Sequence, residues 1–404
     1  MPAGKPPSQV EATAGGIAWT LEEGFAQPLT REVLPHIQAL DSLPQARLVK
    51  RSLQRTVHLV ELSGGSRVIV KEYRLRNWRQ RLKRRLFGPK PVLEWRASRR
   101  LLEVEVPASH AIAVGLPAPP RQDVEGYLIV EVLPGVTSLP AHLRELARPG
   151  GGEAARAHGE FLRELARFVR RLHDRGVSHH DLHCGNILVH PAAAPDARFL
   201  VIDLHRISIG APPGPWHRAL AIAQLLLSFG NALALDDDAR TAAFLDAYQA
   251  AGQPIQHCLL SPEEILRAIR ACADRRRGSR AKRCIKESTR FTVETLNGWR
   301  IWHRRDYAAE AILALWDRHA AGQGAGSLQL REYPRRGPLA RLLGRLRHSP
   351  AVRDYAAAHR AWLASGEGPQ AIAAAECLRG PHKGRSFTLL APEGSAFDRA
   401  AANC

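Results

Sequence analysis

The chain has 404 residues, 45% of them hydrophobic and 24% charged, which is ordinary for a soluble globular protein and long enough for two or three compact domains. Lys and Arg number 58 against 39 acids, a formal net charge of +19, so the partner to expect is anionic: nucleic acid, a phosphorylated substrate or an anionic membrane surface. The six cysteines are scattered without a C-x-x-C pair, which points away from a zinc site and from a disulfide framework and toward reduced thiols.

Residues 1–20 have no apolar core that could act as a secretory signal and read as a disordered leader. From about residue 46 the pattern turns to β. Val57, Leu59, Val60 and Leu62 approximate a strand, Ser63-Gly64-Gly65-Ser66 supplies a turn, and Val68-Ile69-Val70 starts the return strand, which carries Lys71. A basic stretch, RLRNWRQRLKRRLFGPK, fills residues 74–90, with Trp78, Leu82, Leu86 and Phe87 among its Arg and Lys residues; this composition suits an anionic interface. A helical segment over 92–104 carries Glu94, and GYLIVEVLPG (126–135) is a further strand ending in a Pro-Gly turn.

Residues 153–176 form an amphipathic helix. Phe161, Leu165, Phe168, Val169 and Leu172 share one face, and Gly176 ends it. SHHDLHCGNILV (178–189) follows on a loop, and FLVIDLH (199–205) is an apolar strand that delivers an acid. The run ALAIAQLLLSFGNALAL (219–235) is broken by Gln224, Ser228 and Asn231 and is short for a bilayer, so it reads as a buried helix. The pattern stays helical from 214 to about 320, and RRRGSRAKR (275–283) is either a solvated face or a grip on an anionic acceptor. A small β-rich part followed by a larger helical part is a two-lobed α+β plan.

Sliding the chain by 260 residues lays Lys71-Glu72-Tyr73 over Arg331-Glu332-Tyr333 and Glu94-Trp95 over Asp354-Tyr355. The organisation expected is a leader (1–20), a small lobe (21–133), a larger lobe (134–320) and a degenerate second copy of the small lobe (325–404). That copy has Arg331 in place of Lys71, and a planar guanidinium replaces a point-charge lysine poorly.

Phosphoryl transfer from a nucleotide needs a cation on the phosphates, hard oxygen ligands for magnesium and a carboxylate to position the attacking hydroxyl. Asp181 suits the last role. Asn186, five residues on, and Asp203, at the end of an apolar strand, suit the metal; Lys71 suits the phosphates, with Glu94 to hold it. Strand-Lys, helix-Glu, strand, amphipathic helix, His-x-Asp-x4-Asn, strand-Asp is the order of the protein-kinase-like superfamily.

VKEYR, the basic stretch, EWRASRRL, VEVLPG, HHDLHCGNILV, VIDLHR and RAKRCIKES together most resemble the bacterial lipopolysaccharide kinase family, which includes kinases of inner-core heptose and 3-deoxy-manno-octulosonic acid. The resemblance runs from about residue 45 to 300 and implies a two-lobed protein-kinase-like fold with ATP and Mg²⁺ as cofactors. It makes Asp181 the catalytic base, Asn186 and Asp203 the metal ligands, and Lys71 with Glu94 the phosphate-binding pair. Glu131-Val132-Leu133 becomes the hinge that meets adenine, with Glu131 and Leu133 as its contacts. His183 stands where protein kinases have Lys, as in aminoglycoside- and choline-kinase-like members. There is no G-x-G-x-x-G; Arg51-Ser52-Leu53-Gln54 stands in its place and leaves the phosphate cover open.

His179 fits a bracing role better than that of a base, and Cys184 fits that of a spectator. The acceptor to expect is a sugar hydroxyl of a lipopolysaccharide core or another anionic sugar. The setting is the cytoplasm, with peripheral contact at the cytoplasmic face of an anionic inner membrane. Three alternatives remain: a small-molecule kinase on the same fold, a protein Ser/Thr kinase, and a pseudokinase or nucleic-acid-binding module. Missing Asp-Phe-Gly and Ala-Pro-Glu segments weigh against the second. Intact Lys71, Asp181, Asn186 and Asp203 weigh against the third, and with it against nucleic acid as the partner.

Overall fold

Ile17, Trp19 and Leu21 alternate with Ala18 and Thr20, a period of two that puts three large apolar side chains on one face of a strand. That strand, β2 (Ile17–Glu22), pairs antiparallel with β1 (Gln9–Ala14). The leader expected over residues 1–20 is therefore corrected from residue 9 onward: Ile17, Trp19 and Leu21 are at most 1% exposed, and burying them draws this stretch into a sheet. The computed structural model describes residues 7–75, 78–118, 123–146, 151–229, 238–251, 261–288, 290–324, 328–334, 348–365 and 368–392. The chain divides into two compact units, residues 1–269 and 270–404.

The first unit opens with a small antiparallel lobe. After β2 come α1 (Glu23–Glu32), β3 (Ala46–Arg51), β4 (Arg55–Glu61), β5 (Arg67–Arg74), α2 (Trp78–Phe87), α3 (Lys90–Glu103), β6 (Ala111–Pro117) and β7 (Val124–Glu131). The seven strands lie in the order β1-β2-β6-β7-β5-β4-β3. One face packs Trp19, Val68, Val70, Tyr127 and Ile129 beneath Leu29 of α1 and the following Val33 and Leu34. The opposite face sets Ile69, Tyr73, Leu128 and Val130 against Trp95 of α3. Alternation along β5 places Lys71 on this second face, between Ile69 and Tyr73.

The larger lobe contains β8 (Thr137–Ser138), α4 (Leu139–Leu146), α5 (Gly151–Asp174), β9 (Val177–His179), β10 (Ile187–Val189), β11 (Phe199–Val201), β12 (Ile207–Ile209), α6 (Pro215–Leu226) and α7 (Asp238–Ala250), and the division between the units falls within α8 (Pro262–Ala281). The apolar stripe predicted on α5 is buried throughout, from Phe161 to Leu172. Two short sheets, β11-β10-β8 and β12-β9, carry the loop that follows α5. Together the lobes make the two-lobed, protein-kinase-like α+β fold expected. No helix among the described residues is long and apolar enough to cross a membrane, and residues 230–235 of the apolar run lie outside them.

The second unit contains β13 (Phe291–Leu296), β14 (Trp299–Arg304), α9 (Ala309–Ala320), β15 (Gln329–Tyr333), α10 (Pro350–Ser365), β16 (Gln370–Cys377) and β17 (Ser386–Ala391). The helical pattern expected up to about 320 is thus wrong over 291–304. Asn297-Gly298, both at positive φ (48° and 80°), closes a hairpin whose Phe291, Trp299, Ile301 and Trp302 are buried. The division also falls near 270, not between 320 and 325, because this hairpin and α9 share a core with β16 and β17. The five strands run β13-β14-β16-β17-β15, the order of β1-β2-β6-β7-β5 in the small lobe. Helices match as well: α9 follows the second strand as α1 does, and α10 precedes β16 as α3 precedes β6. Among the described residues nothing corresponds to β3 and β4. Arg331 on β15 lies 3.6 Å from Asp354 on α10, as Lys71 on β5 meets Glu94 on α3.

Candidate active site

Glu94 is 1% exposed, and a carboxylate that deeply buried must be fully partnered. Lys71 Nζ donates to Oε1 and the Tyr73 hydroxyl donates to Oε2. Burial first, and then the Glu94 charge, push the Tyr73 hydroxyl well above its ordinary pKa, so it remains a donor. The pair predicted at Lys71 and Glu94 is formed.

Asp203 stands two residues beyond β11 in the left-handed region (φ 63°, ψ 49°), which few non-glycine residues adopt and Asp tolerates better than most. Its Oδ1 accepts from Arg55 Nη1 at 3.0 Å, and His205 Nδ1 stands 3.1 Å away without hydrogen-bond alignment. Burial raises the carboxyl's pKa, but His205, Arg55 and Lys71 outweigh it and hold Asp203 well below the usual carboxylate range. An oxygen of Glu94, an oxygen of Asp203 and a ring nitrogen of His205 all lie within 4.8 Å of one another.

The loop between β9 and β10 is fixed from beneath by His179. Its Nδ1 accepts from the Asp181 backbone N–H at 3.2 Å, so its Nε2 carries the proton and donates to the Ile202 carbonyl at 3.1 Å. Burial pushes its pKa down, which suits a neutral brace. Asn186 Nδ2 donates to the Asp181 carbonyl at 2.9 Å, and the Asn186 carbonyl accepts from Ile202 N at 3.0 Å. These bonds tie Asn186 to the Asp181 backbone on one side and to Ile202, the residue before Asp203, on the other. Asp181 Oδ1 accepts from Gln224 Nε2 at 2.9 Å and Oδ2 from Arg206 Nη1 at 2.7 Å. His183 Nδ1 accepts from Gly185 N, and Cys184 is tied through N and Sγ to Ser228.

Glu131 and Leu133 lie at and just beyond the end of β7, where the chain leaves the small lobe. The Glu131 side chain is committed to His110 at 3.0 Å, and its backbone N–H donates to the His110 carbonyl. Val132 N likewise donates to the Arg67 carbonyl, so the segment that the sequence reads as a hinge is tied to the small lobe through its backbone.

Sequence reasoning missed Arg55, Tyr73, Arg206 and Gln224. Gln224 had a visible signal, since it interrupts an apolar run; Ser228, the second interruption, holds Cys184 N in the same loop. Arg55 had none, because its partner is 148 residues away.

The donor set suits a hard divalent cation. Asp203 is ionised, and the Asn186 amide, tethered through its nitrogen, turns its oxygen away from the Asp181 carbonyl. Glu94 is less suited, because both its oxygens already accept from Lys71 and Tyr73.

A family model described as the lipopolysaccharide kinase (Kdo/WaaP) family matches residues 33–248. No curated protein matches the sequence significantly. Among solved structures, WaaP in complex with acyl carrier protein is 25% identical, with 64% of this chain and 98% of that one covered and a TM-score of 0.45. A glucosamine kinase in complex with glucosamine, ADP and inorganic phosphate is 15% identical, with coverages of 66% and 85% and a TM-score of 0.36. The kinase domain of maize sucrose-induced receptor kinase 1 bound to AMP-PNP is 15% identical, with coverages of 58% and 87% and a TM-score of 0.31.

Proposed function

The chain belongs to the lipopolysaccharide kinase (Kdo/WaaP) family, and from that premise we propose that it transfers the γ-phosphoryl group of ATP to a sugar hydroxyl of the lipopolysaccharide inner core. It is a phosphotransferase acting on an alcohol group. The observation that carries the reading is the convergence of the Lys71–Glu94 pair on Asp203, beside a loop that presents Asp181 and Asn186.

Lys71 binds the α- and β-phosphates, and Glu94, itself held by Tyr73, keeps the ammonium in place. Asn186 and Asp203 would hold Mg²⁺, which would supply neutralisation of phosphate charge. Backbone groups of Glu131 and Leu133 meet adenine. Asp181, oriented by Gln224, aligns the acceptor hydroxyl and takes its proton, so catalysis is positioning plus electrostatics with no covalent enzyme intermediate. The net charge of +19 supports an anionic acceptor. The exposed Trp78, Leu82, Leu86 and Phe87 of α2, set among arginines, support peripheral contact with an anionic inner membrane at its cytoplasmic face.

The test is an acceptor panel with labelled ATP and magnesium: deacylated lipopolysaccharide core, free amino sugars and a Ser/Thr peptide mixture. Label entering the core alone is the expected result. Label in the amino sugars or peptides, with none in the core, would overturn the acceptor assignment.

A further inference from the structure

We infer that Arg206, with His180 beside it, forms an anion subsite at the acceptor side of Asp181, and that filling this subsite frees the carboxylate for the acceptor hydroxyl. The inference rests on the reading above that Asp181 serves a sugar hydroxyl.

Both oxygens of Asp181 accept hydrogen bonds from neighbouring side chains. Gln224, on α6 and partly buried, takes Oδ1; Arg206, whose side chain is 53% exposed, takes Oδ2. A hydroxyl must come within hydrogen-bond reach of this carboxylate to pass on its proton. Arg206 is the more exposed of the two partners, so it is the group that gives way to an incoming acceptor.

The backbone of Arg206 cannot leave with it. Its carbonyl accepts from His180 N at 2.9 Å, and the next residue opens β12, which pairs Ile207 with His179. A guanidinium that lets go of Asp181 therefore remains anchored beside it on a long side chain, and His180, whose backbone bonds to that of Arg206, is exposed with Nε2 3.1 Å from Ser208 Oγ. An exposed ion pair is weak and exchangeable. A carboxylate or phosphate on the acceptor offers the planar guanidinium a bidentate partner in exchange. A neutral sugar offers none, and it leaves Oδ2 capped. The acceptor class is thus a hydroxyl flanked by an anion, and selection works through exchange of the ion pair. Arg206 is a specificity-determining residue that acts through Asp181.

Calorimetric binding of deacylated lipopolysaccharide core tests this with three forms: intact, carboxyl-reduced and dephosphorylated. Each is titrated into the full-length wild type, Arg206→Gln and Arg206→Lys. Arg206→Gln is expected to bind the intact core about tenfold more weakly, the scale of one charge-assisted contact. The form lacking the recognised anion should bind wild type and Arg206→Gln equally, and which form does so identifies the anion as carboxylate or phosphate. Arg206→Lys should recover part of the loss. An equal loss against all three forms, no loss at all, or no binding of any form by the wild type would overturn the subsite. An ATP-dependent thermal shift retained by the variants shows that they are folded. Transfer assayed on the same samples separates the two claims: discrimination without transfer sinks the kinase reading alone, and transfer without discrimination sinks the subsite alone.

Discussion

At the scale of single residues the site is a set of charges that answer one another. Glu94 is buried with two donors, and removing one leaves a carboxylate that the interior cannot solvate. Lys71→Met is therefore predicted to destabilise the protein by about 3 kcal/mol as well as to weaken nucleotide binding. Denaturant unfolding with a parallel nucleotide titration checks both effects. Loss of nucleotide affinity with unchanged stability would mean that the pair contributes nothing to the fold. Asp203 differs, since Arg55, His205 and Lys71 surround it and it keeps partners when any one is lost.

At the scale of elements, His110 ties three strands together. It precedes β6, and its ring meets Glu22 at the end of β2 and Glu131 at the end of β7, with Arg99 3.7 Å from the same Glu22 oxygen. Burial lowers the pKa of the imidazole, but bonds to Glu131 and Glu22 outweigh that and raise it to about 9. The folded value lies above the unfolded one. The stabilisation is therefore complete below about pH 6.5 and is lost as pH rises through about 9, a span worth on the order of 1–2 kcal/mol after solvent screening. Denaturant midpoints from pH 6 to 10 should fall over that window in the wild type and lose this component in His110→Gln. Gly176 is a sharper case: at φ +71° a Cβ would sit 1.8 Å from the Gly210 carbonyl oxygen. Gly176→Ala is predicted to cost at least about 2 kcal/mol and to disturb the β9–β12 ladder that holds His179 and begins just after Arg206, read as a lowered unfolding midpoint.

Much at this scale was legible in the sequence. The β4–β5 hairpin, α3 and the apolar stripe of α5 follow from local periodicity. The Lys71–Glu94 pair and the loop bearing Asp181 and Asn186 follow from motif order. The hairpin of β13 and β14 was legible and misread: alternating residues flank Asn297-Gly298, but a long helical stretch upstream dominated the pattern. Strands β1 and β2 were hidden behind a small, polar-rich start, and only the pairing with β6 explains why Ile17, Trp19 and Leu21 are buried. Arg55 and Arg206 could not be read as site residues, because long-range ion pairs leave no local period.

At the scale of the whole molecule, two features stand out: an excess of positive charge and the recurrence of one strand order. The charge predicts long-range attraction of an anionic acceptor that salt screens. Raising ionic strength from about 0.05 to about 0.5 M should lower kcat/KM for an anionic core several-fold, mainly through association, and should act less on a core stripped of its anions. Equal salt dependence for both would locate the effect elsewhere. The second unit repeats five strands of the small lobe and keeps an Arg331–Asp354 pair where the first has Lys71–Glu94. Among the described residues it has neither the β3–β4 hairpin nor a loop bearing His-x-Asp, so the catalytic proposal rests on the first unit.

The most direct measurement is phosphoryl transfer from ATP to deacylated lipopolysaccharide core by wild type and Asp181→Asn at saturating nucleotide, with nucleotide affinity measured on the same samples. The account predicts transfer by the wild type, a loss of about 10²–10⁴-fold in the variant, and nucleotide affinity changed little, because Asp181 serves the acceptor and not the phosphates. Transfer undiminished in Asp181→Asn, or no transfer by a wild type that binds ATP and magnesium, would contradict it.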